Sequence, residues 1–195
     1  MEALLVSTGV VALAEIGDKT QLLALLLAAR FRRPVPIILG ILVATLANHA
    51  CAALLGATVA GLLQGELFRW LLGGSFIAMG LWTLVPDKLD DDETKAGPVE
   101  RWGPFLATTV AFFLVEIGDK TQIATIALAA QFHSVLLVTA GTTLGMMAAN
   151  VPAVLIGGFA AARLPLATIR AVAAGLFIVI GLLILLEASG AMAFG

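Results

Sequence analysis

The sequence predicts an all-α, polytopic membrane protein with six transmembrane helices arranged as two inverted repeats of three. Three observations carry that prediction. Of the 195 residues 61% are hydrophobic and only 12% charged, against about 45–50% and about 25% in soluble domains. The heptapeptide Glu-Ile-Gly-Asp-Lys-Thr-Gln stands twice, letter for letter, at Glu15–Gln21 and at Glu116–Gln122. The offset of 101 residues between the copies carries the likeness well beyond them.

Apolar runs with polar punctuation place the spans at roughly 3–29, 35–62, 66–86, 104–130, 134–160 and 165–187, each near or above the ~20 residues that cross a bilayer. In the first run, Ala12-Leu13-Ala14 has the form of a signal-peptidase site, but Met1-Glu2 lacks the positive charge of a signal peptide. The second repeat continues through the corresponding Phe113-Leu114-Val115, so the segment is read as a retained span, with no targeting extension before it. Arg30-Phe31-Arg32-Arg33-Pro34 ends the first span and Gln64-Gly65-Glu66 separates the second from the third. Asp87–Gly103, with Asp90, Asp91, Asp92, Glu93 and Gly97-Pro98, reads as a solvated linker. Gln131-Phe132-His133 and Arg163-Leu164-Pro165 punctuate the second half. The domain organisation is therefore 1–86, a first three-helix repeat; 87–103, an acidic cytoplasmic linker; and 104–195, a second three-helix repeat.

At the same offset Ser7-Thr8 falls on Thr108-Thr109, Phe31 on Phe132, Gly40 on Gly141, Gly56 on Gly157, Arg69 on Arg170, Phe76-Ile77 on Phe177-Ile178 and Gly80 on Gly181. Three spans are an odd number, so the second repeat must cross in the opposite sense. Arg30, Arg32, Arg33, Lys88, Lys95, Arg101, Arg163 and Arg170 lie on one side, and Arg69 alone on the other. The excess places those loops in the cytoplasm and both termini outside. Inverted repeats are the plan of many secondary transporters, with sites near the midplane where the repeats meet.

The composition also excludes. No basic tract or zinc-type Cys/His spacing supports nucleic-acid binding. Cys51 is the lone cysteine, so no internal disulfide forms, and it is read as packing. The lipid bilayer is the expected partner, with a homo-oligomer left open and no cofactor required.

The repeated motif carries the chemistry. A charged residue at the bilayer centre costs about 2.5–3.5 kcal/mol on insertion scales, and each copy holds three. On a continuous helix Glu15, Asp18 and Gln21 form one oxygen-bearing stripe that Thr8 extends, and Glu116, Asp119, Gln122 and Thr109 form its counterpart. Gly17 and Gly118 permit close backbone approach or a local break that frees carbonyl oxygens. If spans one and four meet, four carboxylates and two amides converge into an all-oxygen set suited to Ca²⁺, Mg²⁺ or Mn²⁺. Lys19 and Lys120 balance charge if they point inward, leaving a net −2 that one divalent ion or two protons neutralise. The competing structural reading is that Glu and Lys merely pair and glue helices.

Asn48 and Asn150 stand at nearly matching depth and serve either as ligands or as interhelical glue; both are counted among the candidate metal ligands. His49, which aligns with Asn150, and Met146-Met147 are softer donors that favour Mn²⁺ over Ca²⁺, with packing the plainer reading. Thr20 and Thr121 either bind metal or back-bond to their helix. The acidic stretch Asp87–Glu93 gathers cations or is simply solvated linker.

The pattern Glu-x-Gly-Asp-[Lys/Arg]-[Thr/Ser], twice in a six-span chain of this length, resembles the signature of the GDT family of cation/proton exchangers, to which the Golgi transmembrane protein 165 belongs. The resemblance covers essentially the whole chain, with both signature copies intact as Glu15–Thr20 and Glu116–Thr121. It implies exchange of Mn²⁺ and Ca²⁺ for protons, export of Mn²⁺ by a bacterial plasma-membrane member, and metal binding at Glu15, Asp18, Glu116 and Asp119. A proton-coupled exporter of an amino acid or other organic cation is the alternative, since carboxylates also bind ammonium groups. An intramembrane aspartyl protease shares the Gly-Asp but has no use for symmetric glutamates, so no enzyme is expected.

Overall fold

The computed structural model describes residues 1–63, 65–86, 102–156 and 165–190. Among them are eight α-helices and no strand: α1 (Glu2–Glu15), α2 (Lys19–Phe31), α3 (Pro34–Leu62), α4 (Glu66–Thr83), α5 (Gly103–Glu116), α6 (Lys120–Phe132), α7 (Val135–Ile156) and α8 (Leu166–Ala188). The acidic stretch, Lys88, Lys95, Arg101, Gly157 and Arg163 lie outside the described residues.

The expectation of one continuous stripe of Glu15, Asp18 and Gln21 is corrected, because the helix is broken inside each heptapeptide. Helix α1 stops at Glu15, Ile16 is extended, and Gly17 takes φ +84°. In the second copy Ile117 is extended and Gly118 takes φ +77°. A residue with a Cβ pays about 1–2 kcal/mol for such a left-handed backbone, a cost glycine avoids. The chain restarts at Asp18 and Asp119, which hold the N-cap positions of α2 and α6 with extended backbones, where short polar residues are favoured. The Gln21 carbonyl accepts the Gly17 N–H at 2.9 Å, and Gln122 accepts that of Gly118 at 2.7 Å. These bonds occupy donors that a break leaves without helix partners. Both second half-helices also end alike, at left-handed Arg32 and His133.

Three helices, α3, α7 and α8, are long and apolar enough to cross a membrane, and α5 is a shorter apolar helix. Helix α1 packs on α7, α3 on α5, α6 and α7, and α4 on α8. Phe76 and Phe177, equivalent in the two repeats, meet in the α4/α8 seam with ring centroids 6.3 Å apart. A Cβ on Gly181 would stand 2.7 Å from the Gly73 carbonyl oxygen, so this seam closes only around glycines, as in tightly packed membrane helices.

The distribution of polarity is inside-out. Leu5, Val35, Leu54, Leu136 and Val179 are exposed, while Glu15, Asp18, Glu116, Asp119 and Asn150 are buried. An apolar exterior around an ionisable interior belongs to a membrane protein. Cys51, expected to pack, lies exposed on α3.

Candidate metal centre

The broken helices bring the charged motif residues to four helix ends. The C-termini of α1 and α5 supply Glu15 and Glu116; the N-termini of α2 and α6 supply Asp18 and Asp119. The positive ends of α2 and α6 favour carboxylates at their caps. One ligand atom from each of Glu15, Asp18 and Asp119 lies within 4.8 Å of the other two, and all three residues are buried. Carboxylates of both motif copies thus share one place. Oxygens at this spacing can be bridged by one ion, with ligand bonds of about 2.0–2.6 Å.

Each glutamate is held in the same way. Thr20 Oγ1 donates to Glu15 Oε2 at 2.5 Å, and Thr121 Oγ1 donates to Glu116 Oε1. The threonines reach five residues back across the break, a contact that a continuous helix does not allow. The second oxygen of each glutamate, Glu15 Oε1 and Glu116 Oε2, is buried with no hydrogen-bond partner among the described residues. Such an atom costs about 1–3 kcal/mol, more when charged. The geometry suits a carboxylate whose one oxygen is fixed and whose other receives a cation or a proton.

The remaining candidates divide. Asn150 Nδ2 lies 3.5 Å from Glu15 Oε2 and donates to the Met146 carbonyl, with the Met146 sulfur also at 3.0 Å; its Oδ1 has no hydrogen-bond partner among the described residues. Asn48 donates to the Phe113 carbonyl at 3.0 Å and ties α3 to α5. Gln21 also donates to the Ala149 carbonyl, at 3.0 Å, so both glutamines brace the breaks. Thr8 and Thr109 back-bond to Leu4 and Phe105 and do not extend the carboxylate stripe. Lys19 Nζ lies 3.5 Å from Asp119 Oδ1 in the other half. Lys120 instead donates to the Val85 carbonyl at 2.9 Å and lies over Trp82, 5.8 Å from the ring centroid, while lining a narrow cleft with Asp18 and Arg170.

One role was not assigned from sequence. The threonine clamp was hidden because its spacing from glutamate makes sense only once the helix is broken. His49, read from sequence as a soft donor or as packing, is fully buried with Nε2 3.6 Å from Glu116 Oε1.

The family described as Divalent cation/proton antiporter GDT1 matches residues 3–91 and again residues 104–192. A candidate manganese exporter of Vibrio cholerae serotype O1 is 55% identical over 183 residues, covering 93% of this chain and 90% of its own. A GDT1-like protein of Synechocystis is 29% identical over 193 residues, covering 86% and 88% of the two chains. GDT1-like protein 3 of Oryza sativa is 26% identical over 200 residues, with 91% and 71% covered. No solved structure matches.

Proposed function

Since the chain belongs to the Divalent cation/proton antiporter GDT1 family, we propose that it exchanges divalent metal cations, Mn²⁺ and also Ca²⁺, for protons, and that it exports Mn²⁺ from the cytoplasm. The family is one of membrane transporters, not enzymes. The observation that carries the reading is the convergence of Glu15, Asp18 and Asp119 from both halves. The description of the Vibrio cholerae relative favours Mn²⁺ as cargo.

In this reading the ion enters between the four half-helix ends and binds Glu15, Asp18, Glu116 and Asp119, with Asn150 beside them. Lys19, next to Asp119, offsets part of their charge. The threonine clamps keep the glutamates at the junction when no metal is bound. Metal ligation requires ionised carboxylates, so protons and metal compete for the same oxygens and each drives the other out. Two inverted repeats of three spans, one on each side of the 87–103 linker, provide the alternating halves. Support comes from the equal lengths of α1 and α5, 14 residues each, and of α2 and α6, 13 each. The double family match points the same way. The arginine-rich loops then face the cytoplasm of a bacterial cell and both termini lie outside.

The test is transport by the purified protein in proteoliposomes. Mn²⁺ and Ca²⁺ movement should follow an imposed pH gradient, and adding metal to the protein in weak buffer should release protons. Because protonation removes ligands, apparent metal affinity should fall as the pH is lowered from about 8 to about 6. Metal flux indifferent to pH, with no proton release, would mean a channel or uniporter. Proton flux driven by organic ammonium compounds but not by metal would make the cargo organic.

A further inference from the structure

At the 101 offset His49 and Asn150 are the same position in the two repeats, and each faces the glutamate of the opposite half. Asn150 Nδ2 stands 3.5 Å from Glu15 Oε2, and His49 Nε2 stands 3.6 Å from Glu116 Oε1. The two sides therefore match in geometry but differ in chemistry, an amide on one and an imidazole on the other.

His49 is 0% exposed, and neither ring nitrogen has a hydrogen-bond partner among the described residues. Each unsatisfied polar atom costs about 1–3 kcal/mol, so packing alone is a poor reason for histidine; a leucine or methionine would fill α3 here without that cost. The 3.6 Å separation is too long for a hydrogen bond. It suits two atoms bound to one ion: with bonds of about 2.2 Å they subtend about 110° at the metal. Glu116 Oε2, Glu15 Oε1 and Asn150 Oδ1, on the same two glutamate–partner pairs, likewise lack hydrogen-bond partners among the described residues.

Granted that the carboxylates receive the transported ion, as proposed above, we infer that His49 is a nitrogen ligand that makes this site prefer a d-block ion such as Mn²⁺ to Ca²⁺. Carboxylate and amide oxygens accept both ions, whereas imidazole is a ligand of transition metals and is foreign to the oxygen shells of Ca²⁺. Asn150 supplies an oxygen at the equivalent place. The site is thus lopsided, with its selectivity residue in the first repeat only.

The chain has two histidines, and the other, His133, caps α6, so heavy-nitrogen labelling of histidine reports on His49 at the junction. Pulsed electron paramagnetic resonance on Mn²⁺-loaded wild-type protein should show nitrogen coupling that shifts with the label and disappears in His49→Asn. In proteoliposomes the same variant should lower the Mn²⁺-to-Ca²⁺ rate ratio by about tenfold, the scale of losing a metal-site contact, while still moving Ca²⁺. Wild-type protein that binds and moves Mn²⁺ without histidine coupling, or His49→Asn with an unchanged ratio, overturns the His49 assignment and leaves the antiport reading standing. Wild-type protein that neither binds nor moves either metal overturns both. Should His49→Asn fail to fold, the labelling result on wild type decides alone.

Discussion

Two identical heptapeptides sit in one protein, and their comparison separates what local sequence does from what neighbours do. Within the motif the copies behave alike in four respects: glycine turns left-handed, aspartate takes the extended N-cap backbone, glutamine braces the glycine N–H, and threonine clamps glutamate. They differ in one, since the Asp18 side chain accepts the Thr20 N–H at 3.5 Å and Asp119 makes no such cap bond. Around the motif they part. Lys19 reaches Asp119, whereas Lys120 reaches Val85 and Trp82. Glu15 meets an asparagine and Glu116 a histidine. A Cβ on Gly17 would lie 2.7 Å from Leu166 Cδ2, while one on Gly118 would meet no atom of the described residues within 4 Å. The counterpart of Leu166 at the 101 offset is Gly65, which has no side chain to reach across. Most short-range features are duplicated because the letters are duplicated, the Asp18 side-chain cap being the exception. Cross-half features are not, because each motif is surrounded by the half that has diverged.

The most severe test of the comparison is charge removal. Asp18→Asn and Asp119→Asn keep shape but delete a carboxylate, and metal transport by each should fall at least about 100-fold, as for a ligand rather than a bystander. Circular dichroism and size-exclusion chromatography should show both variants folded. Wild-type transport by both would return these residues to a structural role. If only Asp119→Asn leaves residual transport, the Lys19 contact sets the two sides apart.

A smaller effect is expected at the clamps. Thr20→Val and Thr121→Val remove a hydroxyl that orients a glutamate, and each should weaken Mn²⁺ binding by about tenfold, the lower range for orienting partners of metal ligands. Titration calorimetry reads it, and serine at either position should restore most of the affinity. Loss at one clamp only would show that the equal geometry conceals unequal use.

The finest distinction is at the glycines. Gly17→Ala and Gly118→Ala both incur about 1–2 kcal/mol for the left-handed backbone, and both should lower the melting temperature. Gly17→Ala also crowds Leu166, so it should melt slightly lower, and Leu166→Ala should recover that increment in Gly17→Ala but nothing in Gly118→Ala. Equal melting in all backgrounds would mean that Leu166 simply rotates away.

Much of this is legible in the sequence. Apolar runs separated by charge and proline mark helices because a bilayer forces the backbone to bond internally. Buried ionisable residues marked the centre, because their desolvation cost demands a use. The break was half legible: glycine beside a capping aspartate permits it, but a continuous helix satisfied the same letters. Only the tertiary structure decided that Thr20 clamps Glu15, that Lys19 and Lys120 diverge, and that Asn150 and His49 each address the opposite half's glutamate. Those contacts depend on how α7 lies on α1 and α3 on α5. Helix periodicity is written in neighbouring residues; the meeting of residues 135 positions apart, as in Asn150 and Glu15, is set by packing through space.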